Sequence, residues 1–94
     1  MAPRLSYSLF NIVPMNLQQF KAMSEETQHR HLLLNGSCIA DRKSGVSHVL
    51  LFQLHGFYVE VFFNEDGDEV VDTRSFEDLD QLEPYLTQIN LNGI

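Results

Sequence analysis

The sequence has no tryptophan and a single cysteine, and only six Lys and Arg stand against thirteen Asp and Glu, for a formal net charge of −7. Each scarcity excludes something. One cysteine, Cys38, cannot close an intramolecular disulfide, and beside Ile39 and Ala40 it reads as a small core residue rather than a nucleophile. The shortage of basic residues argues against nucleic-acid binding, which relies on Lys and Arg to neutralise phosphates. The acidic surplus reads as a solvated, self-repelling surface. Five glycines, none clustered, offer no backbone cradle for a nucleotide. Nor does a G-x-S-x-G nucleophile turn occur. No apolar run approaches the length needed to cross a bilayer as a helix. The short stretch Leu9–Val13 is broken by Asn11 and has no small-residue cleavage site, so it makes a poor secretory signal. The expectation is a cytoplasmic protein with no membrane or nucleic-acid partner.

What the chain does have is concentrated in Val49–Phe63, a run dense in Val, Leu, Phe and Tyr. Such residues suit a pleated, half-buried surface. The run is too long for one ordinary strand and too short for a membrane span. It folds back at His55-Gly56, with Gly56 expected to supply the positive φ that a two-residue hairpin needs. Leu54 then faces Phe57, Phe52 faces Val59, and Leu50 faces Val61, giving one apolar face. The other face carries Val49, Leu51, Gln53, Tyr58, Glu60 and Phe62. That mixture is too apolar for a wet sheet face, so something should cover it.

Around the hairpin, the spacing predicts seven elements. Asn16 caps a short helix with Leu17, Phe20 and Met23 on one face, and Ser24 caps a second running to Leu34 and ending at Asn35-Gly36. Ser37–Asp41 reads as a first strand and Arg42–Gly45 as a turn. Asn64–Asp68 is a second turn leading to a strand over Glu69–Ser75. Leu79, Leu82, Leu86 and Ile89 share one face of a C-terminal helix that Pro84 must kink or begin. The fold class is α+β, in the order α-α-β-β-β-β-α: a four-stranded antiparallel meander with the helices packed on one face. Residues 1–14 read as an N-terminal arm and 15–94 as a single domain. Either the arm lays Leu9, Phe10, Ile12 and Val13 over apolar surface, or Met15 is the natural start.

Signals for chemistry are weak. Asn64, Asp66 and Asp68 open like a calcium loop, but Glu69 and Ser75 stand where glycine and glutamate are needed. His29 and His31 are two apart and point to different sides of a helix, which does not suit a shared metal. No cofactor or metal is expected, and no catalytic residue is assigned. Glu60, mid-strand among apolar neighbours, is the polar residue to watch; its plainer role is to face solvent or pair with Arg74. Two readings remain. One is an interaction module that self-associates, as a homodimer, or docks a protein partner through Val49, Leu51, Tyr58, Glu60 and Phe62. The other is a small-ligand or enzymatic domain with a pocket between sheet and helices.

Overall fold

A computed structural model describes residues 15–89. The expectations for the arm fall outside those residues. Helix α1 (Leu17–Lys21) begins with a capping box: Asn16 Oδ1 accepts from the Gln19 backbone N–H at 2.8 Å, and Gln19 Oε1 accepts from the Asn16 N–H at 2.9 Å. Helix α2 (Glu25–Asn35) starts at Ser24, whose hydroxyl accepts from the Thr27 N–H, and its first turn carries Glu25 and Glu26 at the positive end of the helix dipole. It ends where Gly36 turns into extended backbone.

Four antiparallel strands follow in a meander ordered β1-β2-β3-β4: β1 (Ser37–Ser44), β2 (Ser47–Leu54), β3 (Phe57–Phe63) and β4 (Val70–Phe76). The central register is the one the alternation predicts, with Leu54 opposite Phe57, Phe52 opposite Val59 and Leu50 opposite Val61. The turn chemistry differs. His55, not Gly56, is the residue with positive φ, at 55°. Strand β1 also runs past the expected turn to Ser44, because Gly45-Val46 forms the tight connection with Gly45 at φ 61°. Cys38 is exposed rather than a core residue, beside an irregularity in the β1–β2 register between Cys38 and Ala40. The acidic turn is organised by Asn64, whose Oδ1 accepts from the backbone N–H groups of Gly67 and Asp68.

Both faces of the sheet are covered, and by different segments. Phe20 and Leu32 from α1 and α2 pack with Leu54, Phe57, Val59 and Val61 on the first face. On the second, Leu82 and Tyr85 pack with Ala40, Leu51, Tyr58 and Phe76. The C-terminal segment therefore lies opposite the N-terminal helices and not beside them. It is a 3₁₀ helix, Leu79–Tyr85, rather than an α-helix. With three residues per turn, Leu82 and Tyr85 share a face and Leu86 is turned away from it, while Leu79, one turn earlier at the start of the helix, is also exposed. Pro84 fits this outcome, since its ring would clash with the preceding turn of an α-helix.

Candidate functional site

Two sites stand out, one polar and one apolar. The polar site lies on the second sheet face and is centred on Glu60, whose side chain is only 2% exposed. It is brought together by the extra length of β1. Pairing of Ser44 with Ser47 carries Arg42 opposite Val49, on the same face as Glu60. Arg42 Nη2 donates to Glu60 Oε2 at 3.0 Å, and Arg42 Nε donates to the Tyr85 hydroxyl oxygen at 3.0 Å. The Tyr85 hydroxyl in turn donates to Glu60 Oε2 at 2.6 Å. These three bonds close a ring linking β1, β3 and the 3₁₀ helix.

Arg74, opposite Glu60 on β4, places its Nε 3.6 Å from Oε1, and its Nη2 donates to Gln81. The guanidinium of Arg42 also lies over the rings of Tyr85 and Phe62, at 5.4 and 5.9 Å from their centroids. Next to this cluster, Gln88 exchanges hydrogen bonds with the Asp41 backbone. The C-terminal segment is thus fastened to β1, β3 and β4 by side chains.

The electrostatics follow from burial and pairing. Burial raises the Tyr85 hydroxyl above its ordinary value, its hydrogen bond to Glu60 raises it further, and Arg42 offsets part of the shift. For Arg42, burial works against the charged form, but the hydrogen bonds to Glu60 and Tyr85 win and its proton is held more tightly than usual. Burial alone raises the Tyr58 hydroxyl. Glu60 Oε2 accepts from two donors, and both of its oxygens face guanidinium groups. That arrangement suits a fastening better than a proton shuttle, which would need a free acceptor.

The five residues expected to form an interaction surface are accounted for individually. Val49, Leu51, Tyr58 and Glu60 share one face as predicted, but all four are buried within the chain, and Phe62 is half-buried. Glu60 does pair with Arg74, yet it does not face solvent. Arg42, Gln81 and Tyr85 were missed. The signal for Arg42 was the Gly45-Val46 pair, which read as a two-residue turn would have extended β1 through Arg42. Tyr85 required a helix of period three.

The apolar site is a groove of about 200 Å³ on the first face. Its walls are His29, Leu32 and Leu33 of α2 and Phe52, Val61, Phe63 and Val70 of the sheet. α2 covers this face with little more than Leu32, while Leu33 and Leu34 remain 83% and 74% exposed. Nε2 of His29 is buried and has no hydrogen-bond partner among the described residues. Such an atom is costly in an otherwise apolar wall.

No protein-family model, curated protein or solved structure matches this chain. No helix among the described residues is long and apolar enough to cross a membrane.

Proposed function

We propose that this protein is a small interaction module that docks apolar side chains of a protein partner, or of a second copy, in the groove between α2 and the sheet. The observation that carries the reading is that groove, with exposed Leu33 and Leu34 beside it. Its volume of about 200 Å³ falls below the roughly 300–1,000 Å³ of sites that enclose drug-sized ligands. It suits one or two side chains. A peptide also brings backbone polar groups, which the unpartnered His29 Nε2 is able to engage.

The mixed face is a weaker docking surface than the sequence suggested, because a partner there would have to displace Leu82 and Tyr85. The alternative of a catalytic or small-ligand pocket with Tyr58 and Glu60 at its mouth finds little support, since both are buried beneath the 3₁₀ helix. The cytoplasmic location expected from the poor signal segment and the want of a long apolar run belongs to the same proposal.

The test is methyl-resolved NMR with 1-anilinonaphthalene-8-sulfonate as an apolar probe, alongside light scattering over a concentration series. The expected result is saturable shifts of the Leu33, Val61 and Val70 methyls that Leu33→Asp abolishes. Any concentration-dependent dimer should be lost in the same variant. Perturbation confined to the opposite face, or a dimer untouched by Leu33→Asp, would overturn the assignment of the groove.

A further inference from the structure

The turn that joins two of the groove's walls is acidic. Residues 64–69 link Phe63 of β3 to Val70 of β4, and both of those side chains line the groove. Within this short turn stand Glu65, Asp66, Asp68 and Glu69, all exposed. The turn's own geometry asks for other residues: Asn64 Oδ1 accepts from the Gly67 and Asp68 N–H groups, and Gly67 has φ 79°. Asp68 accepts from Asn64 Nδ2 at 2.9 Å, but the carboxylates of Glu65, Asp66 and Glu69 have no hydrogen bond or ion pair among the described residues. We propose that the groove's occupant is a basic segment of a protein partner, which seats one apolar side chain in the groove and sets Lys or Arg against these three carboxylates. This inference rests on the groove being a docking site and names the chemistry that fits it.

Three observations carry the proposal. The first is charge. No Lys or Arg occurs between Lys43 and Arg74, so β2 and β3 have none. Arg74 of β4 turns to Glu60 on the opposite face, and Arg30 of α2 pairs with Glu26 at 3.3 Å. Lys43 is on β1, two strands from Phe63 and three from Val70, which is roughly 10–14 Å at ordinary strand spacing. The elements that wall the groove therefore leave the field at this end negative. The second is reach. Glu69 adjoins Val70, and a cation two or three residues beyond an anchored side chain lies about 7–11 Å along an extended peptide, enough to pass from groove to turn. The third is exclusion. With a net charge of −7, a second copy meets like charge here, and anionic lipid surfaces and nucleic acids are repelled in the same way. The apolar anchor supplies affinity, while the turn speeds encounter and selects the partner.

The experiment titrates the labelled full chain with the capped peptide acetyl-Gly-Phe-Gly-Lys-Lys-Gly-amide. Saturable shifts are expected at the methyls of Leu33, Val61 and Val70 and at the amides of Glu65 and Glu69. The same peptide with glutamate in place of lysine should bind severalfold more weakly. Affinity for the lysine peptide should fall severalfold as salt rises from about 0.01 to 0.15 M, where the screening length shrinks from about 30 to 8 Å. Combining Glu65→Gln, Asp66→Asn and Glu69→Gln should weaken the lysine peptide severalfold and make its salt response shallower. The anionic dye 1-anilinonaphthalene-8-sulfonate should bind that variant severalfold more tightly than the wild type. Unmoved Leu51 and Leu82 methyls report that its fold is intact. If the lysine and glutamate peptides reach the groove equally well, the charge reading falls while the docking groove stands. If neither dye nor peptide reaches the groove, both readings fall. A lysine peptide that binds as tightly without its phenylalanine would overturn the proposal, because the turn would then collect cations without the groove. A groove-mediated dimer that tightens as salt is raised would also overturn it and make the occupant a second copy.

Discussion

Tyr85 and Glu60, 25 residues apart, share a 2.6 Å hydrogen bond in which both side chains are buried, and that bond ties the C-terminal segment to the middle of the sheet. Glu60 accepts from both Tyr85 and Arg42, so losing it is worse than losing either donor. Tyr85→Phe keeps the ring and leaves Glu60 paired with two arginines; the expected cost is about 1–2 kcal/mol. Glu60→Ala strands Arg42 and the Tyr85 hydroxyl together and should cost roughly 3 kcal/mol. Some access of Arg42 to water keeps the figure from rising higher. Urea unfolding of both variants reads the difference. A Glu60→Ala variant less affected than Tyr85→Phe would mean that the ring of bonds contributes nothing beyond packing.

The same pair sets an alkaline limit. Burial and the Glu60 hydrogen bond hold the Tyr85 proton more tightly in the folded protein than in the unfolded chain, where the ordinary value is 10.0. Because the folded value is the higher one, the contribution is fully present below about pH 10 and is lost as pH rises toward the folded value. Urea midpoints of the wild type should therefore fall from about pH 10 upward. Tyr85→Phe should flatten most of that fall, leaving the smaller part due to Tyr58, whose hydroxyl is also raised by burial. Parallel slopes for wild type and Tyr85→Phe would show that another group controls alkaline stability.

At the central turn, the strained position is His55, with φ 55°. A side chain in that left-handed region costs on the order of 1–2 kcal/mol, partly offset by the greater freedom of glycine in the unfolded chain. His55→Gly should thus be neutral or stabilise by up to about 1 kcal/mol. A Cβ at Gly56 meets nothing within 4 Å, and this glycine is not among those with positive φ. Gly56→Ala should consequently shift the thermal midpoint little. A large loss at Gly56 together with a loss at His55 would put the strain back on the glycine.

The hairpin's face assignment was legible because a two-residue period and a two-residue turn leave one register that puts Leu50, Phe52, Leu54, Phe57, Val59 and Val61 on one face. Which turn residues take positive φ was not legible from the presence of a glycine alone, since the favoured two-residue hairpins have it at the first central position or at both. The need to cover the mixed face was also readable from Val49, Leu51 and Tyr58, but its cover was not. Leu79, Leu82, Leu86 and Ile89 fit a 3.6-residue period well, and only the observed 3₁₀ winding puts Tyr85 inward and Leu86 outward. Arg42 was hidden for a related reason. Its neighbours Lys43, Ser44 and Gly45 resemble turn chemistry, and whether β1 ends before or after Arg42 depends on pairing with Ser47. The groove rests on how much of the first face α2 leaves uncovered, which no local pattern encodes.

The two-sided core makes one further prediction, which separates the 3₁₀ helix from an incidental tail. Leu82 is fully buried against the second face, whereas Leu79, one turn earlier, is more than half exposed. Truncating a buried leucine removes its transfer energy and leaves a cavity, so Leu82→Ala should cost about 2–5 kcal/mol. Leu79→Ala should change stability by less than about 0.5 kcal/mol, as expected of a surface position. An α-helical face would predict comparable losses at Leu82 and Leu86. Chemical denaturation of the three alanine variants therefore discriminates directly. A loss at Leu82 with none at Leu86 supports the three-residue period, and equal losses at Leu82 and Leu86 would return the segment to an α-helix, while Leu79, one turn before Leu82, reports only where the buried face begins. Because Leu82 and Tyr85 hold the segment together, Leu82→Ala should also loosen the Tyr85–Glu60 bond. Its coupling to Tyr85→Phe in a double-mutant cycle should then be measurable, while Leu79→Ala should add independently.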